Sequence, residues 1–188
     1  MTLQWTDNAM DKKLKDYRES IESNKTKSLV LMALLFALAL VLSIVENLLP
    51  PVVPSVPGVK FGLSNIAVMY ALFFLRKRQA FLIALLKALF AAVTRGVIAG
   101  ILSLSGGVLS LAAMILLMLL FGERISYLLI SVAGSIFHNI GQLVAVAFIY
   151  TSIYTFAYFP VLLISGLAAG TATATLLRLI IPALKKLG

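Results

Sequence analysis

Apolar residues fill six stretches of this chain, and polar residues gather at the joints between them. The stretches run over 28–47, 59–75, 80–102, 108–121, 125–150 and 155–184. Several approach or exceed the roughly 20 residues that a helix needs to cross a bilayer. They are apolar throughout rather than alternating, so the pattern predicts helices and not the strands of a membrane barrel. The fourth stretch is short, and either begins earlier or lines a cavity instead of facing lipid. Arg76, Lys77 and Arg78 close the second stretch, Ser103–Gly107 (SLSGG) reads as a turn between the third and fourth, and Glu123 and Arg124 divide the fourth from the fifth. A turn at 151–154 leads into the sixth, where Pro160 is tolerated near a helix start.

The expected fold is therefore all-α, an integral membrane bundle of six transmembrane helices over residues 28–186. Residues 1–27 form a polar N-terminal segment of their own. Leu3, Met10, Leu14, Tyr17 and Ile21 share one helical stripe there, with Lys12, Lys13, Lys15 and Arg18 off it. That is the pattern of an amphipathic helix on the membrane surface, or of a solvated tail, and the spacing alone leaves both open.

Composition sharpens this picture. Of 188 residues 61% are hydrophobic and only 12% charged, with a mean hydropathy of +1.05, whereas soluble domains are about half apolar and a quarter charged. The net charge of +9 points first to nucleic acid, but its distribution points elsewhere. Lys25, Lys27, Arg76, Lys77, Arg78, Arg124, Lys185 and Lys186 fall on one side of the predicted bundle, and Lys60 alone on the other. Cytoplasmic loops carry such an excess of Lys and Arg, so both termini are expected inside, in a multi-pass protein of the cell membrane. No soluble basic domain is left to bind nucleic acid. The first apolar run lies behind the polar segment and is too long for the core of a cleaved signal peptide, so it is expected to remain as a membrane helix.

The stretch Glu46–Asn65 (ENLLPPVVPSVPGVKFGLSN) interrupts the first two helices. Pro50, Pro51, Pro54 and Pro57 forbid a helix, and Gly58 permits a tight turn. A carboxylate (Glu46), a cation (Lys60) and an amide (Asn65) thus flank a stiff outward loop. Within the third helix, Lys87 and Arg95 are eight residues apart and share a stripe. Facing lipid would cost each of them a few kcal/mol, about 3 at the helix centre, so both are expected to face the bundle interior. Three outward cations have a single nearby carboxylate, which favours an anionic ligand over a purely structural pairing. His138, Asn139 and Gln142 place three more polar side chains at membrane depth, and Ser103 lies in the second outward turn. Ala33 and Ala37, four apart on the first helix, make a small-residue face that suits close helix approach.

Catalytic patterns are missing. No aspartate-rich cluster is present to hold magnesium and a diphosphate, no phosphate-binding glycine loop occurs, and the one histidine lacks a nucleophile partner in a recognisable triad. With no cysteine, one histidine and seven carboxylates, neither disulfides nor a buried metal cage are expected. The chain is not expected to be an enzyme or to carry a cofactor.

The segments VEN, PGVKFGLSN, TRGVIAG, SLSGGVLS and GSIFHNIGQLVAV together resemble the Gx family of membrane proteins, whose members carry the label heptaprenyl diphosphate synthase component I. The resemblance covers roughly residues 28–184. That family is grouped with the substrate-binding S components of energy-coupling factor (ECF) transporters. The resemblance implies six helices with cytoplasmic termini and a ligand site near the outer face, under the loop between helices one and two. It also implies an interface at Ala33 and Ala37 with a transmembrane coupling subunit, and two cytoplasmic ATPases that supply the energy. On this reading the chain, monomeric by itself, captures a small anionic molecule, an isoprenoid or quinone precursor or a vitamin, with Glu46, Lys60, Asn65, Arg95, Ser103, His138, Asn139 and Gln142 lining the site. The rival reading is a membrane partner or anchor of a soluble prenyl diphosphate synthase.

Overall fold

The computed structural model describes residues 16, 19–21, 23–48, 62–122, 125–150 and 157–184, with side chains to residue 176. The proline loop with Lys60, most of the N-terminal segment, and Glu123, Arg124, Lys185 and Lys186 lie outside the described residues. Among the described residues six helices of ten residues or more follow one another: α1 (Lys25–Leu48), α2 (Asn65–Phe74), α3 (Lys77–Arg95), α4 (Val97–Phe121), α5 (Tyr127–Tyr150) and α6 (Phe159–Leu184). Four stretches of the described residues are long and apolar enough to cross a membrane: α1, α4, α5 and the Phe159–Leu176 part of α6. The chain is thus an all-α protein of the multi-pass membrane type.

Two boundaries differ from the sequence pattern, each for a definable reason. The SLSGG segment is not a turn: Ser103–Gly107 lies inside α4, which begins at Val97 rather than Val108. The break falls instead at Gly96, whose φ of +95° is open to glycine and strained for other residues. Gly106 serves packing. A Cβ there would lie 2.7 Å from His138 Nδ1, and one on Gly141 would lie 2.7 Å from the Ser105 carbonyl oxygen. Small residues thus let α4 and α5 approach to backbone contact. The second boundary is the start of α2, at Asn65 instead of Val59, after a turn at Gly62–Ser64 in which the Asn65 N–H donates to the Gly62 carbonyl at 2.9 Å.

At ten residues α2 is about 15 Å long, half the hydrocarbon thickness of a bilayer. It is buried on every side: Ile66, Ala67, Val68, Met69, Ala71, Leu72 and Phe74 are all enclosed. A helix apolar all round belongs inside, and α2 fills the middle of the bundle against α1, α3, α4, α5 and α6. By contrast α1 leaves Leu29, Val30, Leu34, Val41 and Ile44 exposed, as a lipid-facing helix does. Each of α3, α4 and α5 packs on the next helix in sequence. At the other end of the bundle, Gln79 Nε2 donates to Ser28 Oγ at 2.6 Å, tying the start of α3 to the start of α1.

Candidate functional site

The buried polar residues concentrate where α1 ends, α2 begins, α3 ends and α4 begins. Glu46 stands on the last turn of α1 and is buried. Its Oε1 accepts the Gly62 N–H and the Leu63 N–H, the latter at 3.2 Å. Those amides belong to the turn that opens α2, where helix geometry leaves N–H groups without internal partners and the dipole favours negative charge. Gly62 has a φ of +83°, and a Cβ there would sit 3.0 Å from His138 Cδ2 and 3.4 Å from Asn65 Nδ2. The conformation therefore favours glycine, and the contact leaves little room for a Cβ.

Lys87 is 2% exposed, and its Nζ donates to Asn65 Oδ1 at 2.6 Å. The bond leaves Asn65 Nδ2 buried without a partner. Arg95 ends α3 two turns further along, about 12 Å from Lys87 by helix rise. It is half-buried, and its Nε and Nη1 have no hydrogen-bond partner among the described residues. On α5, the His138 Nδ1 edge lies against the Gly106 backbone and makes no hydrogen bond of normal geometry.

These side chains surround one small cavity, lined by Ser43, Glu46, Gly62, Ser64, Lys87, Arg95, Ala99, Ser103, His138 and Gln142. Its free space is ≈ 10 Å³, about what one water molecule occupies. Chemically the cavity is a surplus of donors, from Arg95, Lys87 and Asn65, facing a single carboxylate whose Oε1 is already committed to the backbone.

Of the residues singled out from sequence, the structure brings Glu46, Arg95, Ser103, His138 and Gln142 to the cavity wall, with Asn65 just behind it through Lys87. Asn139 faces elsewhere: its Nδ2 donates to the Leu162 carbonyl at 2.8 Å and to Ser165 Oγ at 3.0 Å, which ties α5 to α6. Lys60 lies outside the described residues. Ala33 and Ala37 are exposed on α1, with Ala39 buried on another face. Ser43, Gly62, Ser64 and Ala99 were not singled out. Ser43 was within reach, because it sits three residues before Glu46 on the same helical face. Among the described residues no three His, Cys, Asp or Glu side chains come together to hold a metal ion.

The fold and this site define a multi-helix membrane protein with a charged, largely buried polar cluster at one end of its bundle. The family model for heptaprenyl diphosphate synthase component I matches residues 35–180, and the chain belongs to that family. Neither a curated protein nor a solved structure matches the chain.

Proposed function

We propose that this chain is a non-catalytic membrane subunit that takes a small anionic group into the polar end of its bundle. One observation carries the reading: Arg95 holds two buried guanidinium N–H groups without partners, beside a cavity it shares with Lys87. Unsatisfied charged donors away from water cost several kcal/mol, and a guanidinium fork suits carboxylate or phosphate oxygens. Glu46, Ser103, His138 and Gln142 line the same space and supply orientation, while Asn65 positions Lys87. Lys60 is proposed to approach from the loop between α1 and α2.

Two settings suit such a subunit. In one, it is the membrane partner or anchor of a soluble prenyl diphosphate synthase. The family's description supports this setting more directly, since a first component implies a second. In the other, six membrane spans with both termini inside deliver the anion as the S component of an ECF-type importer, with Ala33 and Ala37 meeting the coupling subunit. The exposure of both alanines on α1 and the unmatched cations favour this second setting.

Affinity capture of the full chain from its native membrane separates the two. Recovery of a soluble prenyl synthase, with synthase activity that rises on co-expression, supports the partner. Recovery of ATPase subunits, lost when Ala33 and Ala37 are replaced by Leu, supports the importer. Anion binding unchanged in Arg95→Ala would remove the site from either account.

A further inference from the structure

The start of α2 is buried inside the bundle, where Asn65 meets Lys87. The amides of the turn just before it, those of Gly62 and Leu63, are not empty: Glu46 Oε1 occupies them. Around that carboxylate stand buried donors with nothing to bind, Asn65 Nδ2 and Arg95 Nε and Nη1. Asn65 is only 5% exposed, and its Nδ2 lies 3.4 Å from the Cβ position of Gly62, so it points into the same turn. The space left over holds about one water (≈ 10 Å³).

A small donor-rich site that already contains a carboxylate has a simple reading. Resting on the anion-binding role proposed above, we infer that Glu46 is an internal stand-in for the incoming anion. In the ligand-free site its carboxylate holds the Gly62 and Leu63 amides and supplies part of the charge that Arg95 and Lys87 lack. An external phosphate or carboxylate takes over those donors, and Glu46 is repelled from the turn, because two anions cannot share one donor set in a buried site. Since Glu46 ends α1 and Gly62 begins the turn into α2, its release uncouples the end of α1 from the start of α2. Occupancy is thereby converted into movement at this end of the bundle, with no change required in the α4–α5–α6 packing.

The test is thermal unfolding and equilibrium binding of the full-length chain in detergent against three probes: inorganic phosphate, pyrophosphate and acetate. Glu46→Gln keeps a side-chain oxygen for the Gly62 and Leu63 amides but removes the competing charge. It is expected to bind the best of the three about tenfold more tightly than the unaltered chain, a difference of about 1.4 kcal/mol, while Arg95→Ala binds none. Arg95-dependent binding that Glu46→Gln leaves equal or weaker overturns the stand-in and leaves the anion site intact. Absence of binding by all three probes in both chains overturns the two together.

Should Glu46→Gln fail to fold, the otherwise unaltered chain gives the answer. It has no cysteine, so Leu48→Cys and Val97→Cys, both highly exposed at 81% and 71%, accept a unique pair of spin labels. The distance between them is expected to shift when the best probe is added and to stay fixed when Arg95→Ala is also present. Binding without a shift overturns the inference.

Discussion

His138 and Asn139 are neighbours on α5, and both are buried, yet they serve opposite kinds of region. Asn139 belongs to the seam between α5 and α6, where it donates to Leu162 and Ser165 and where Ser131 Oγ donates to the Gly170 carbonyl at 2.7 Å. His138 belongs to the cavity end, among cations and amides that outnumber their acceptors. In the seam, polar groups are spent on holding helices together in the absence of a hydrophobic driving force between them. At the cavity end, donors are held ready. Asn139 Oδ1 is itself buried without a partner among the described residues, so neither burial nor one orphaned atom marks a ligand site; several unspent donors around one cavity do.

Substitutions can break that contrast or sharpen it. The largest effect is expected in the seam. Gly170→Val would put a Cβ 2.5 Å from Val132 Cα, and overpacking against backbone is expected to cost about 3 kcal/mol, read as loss of folded, monodisperse protein in detergent. Asn139→Ala removes two hydrogen bonds and is expected to cost about 2 kcal/mol in thermal or denaturant unfolding, with the response to added phosphate unaltered. Gly96→Ala meets no atom within 4 Å but must keep φ at +95° with ψ at 163°, a region nearly confined to glycine, so a cost of about 2 kcal/mol is expected, with no change in α4–α5 packing. The smallest stability change belongs to the cavity: Lys87→Met loses one bond to Asn65 but also a buried charge, and is expected within about 1 kcal/mol of the parent. Its response to anions should nonetheless weaken. Equal anion responses in Lys87→Met and Asn139→Ala would erase the distinction between the two regions.

The long helices were legible from sequence because lipid demands length and apolarity together. α1, α5 and α6 begin and end within a few residues of their apolar runs. The α3–α4 joint was not, because a lone glycine after Arg95 carries less turn signal than the Gly106–Gly107 pair, and only tertiary contact shows that Gly106 is there for the His138 ring. The charge argument placed Glu46 and Arg95 at one cavity from sequence alone. It could not distinguish His138 from Asn139, which differ by about 100° around α5, nor see that Glu46 would be engaged by the turn at Gly62. That engagement depends on a backbone conformation that local sequence does not encode. Lys87 reads as facing the bundle interior, and its burial and its bond to Asn65 hold it there.

The central claim is that unspent donors at Arg95 await an anion. It is tested most directly by mass spectrometry of small molecules released from gently purified full-length chain, with the parent and Arg95→Ala prepared side by side. An anionic molecule enriched in the parent and lost from Arg95→Ala is the predicted result. The same anion retained at equal occupancy by Arg95→Ala would contradict it.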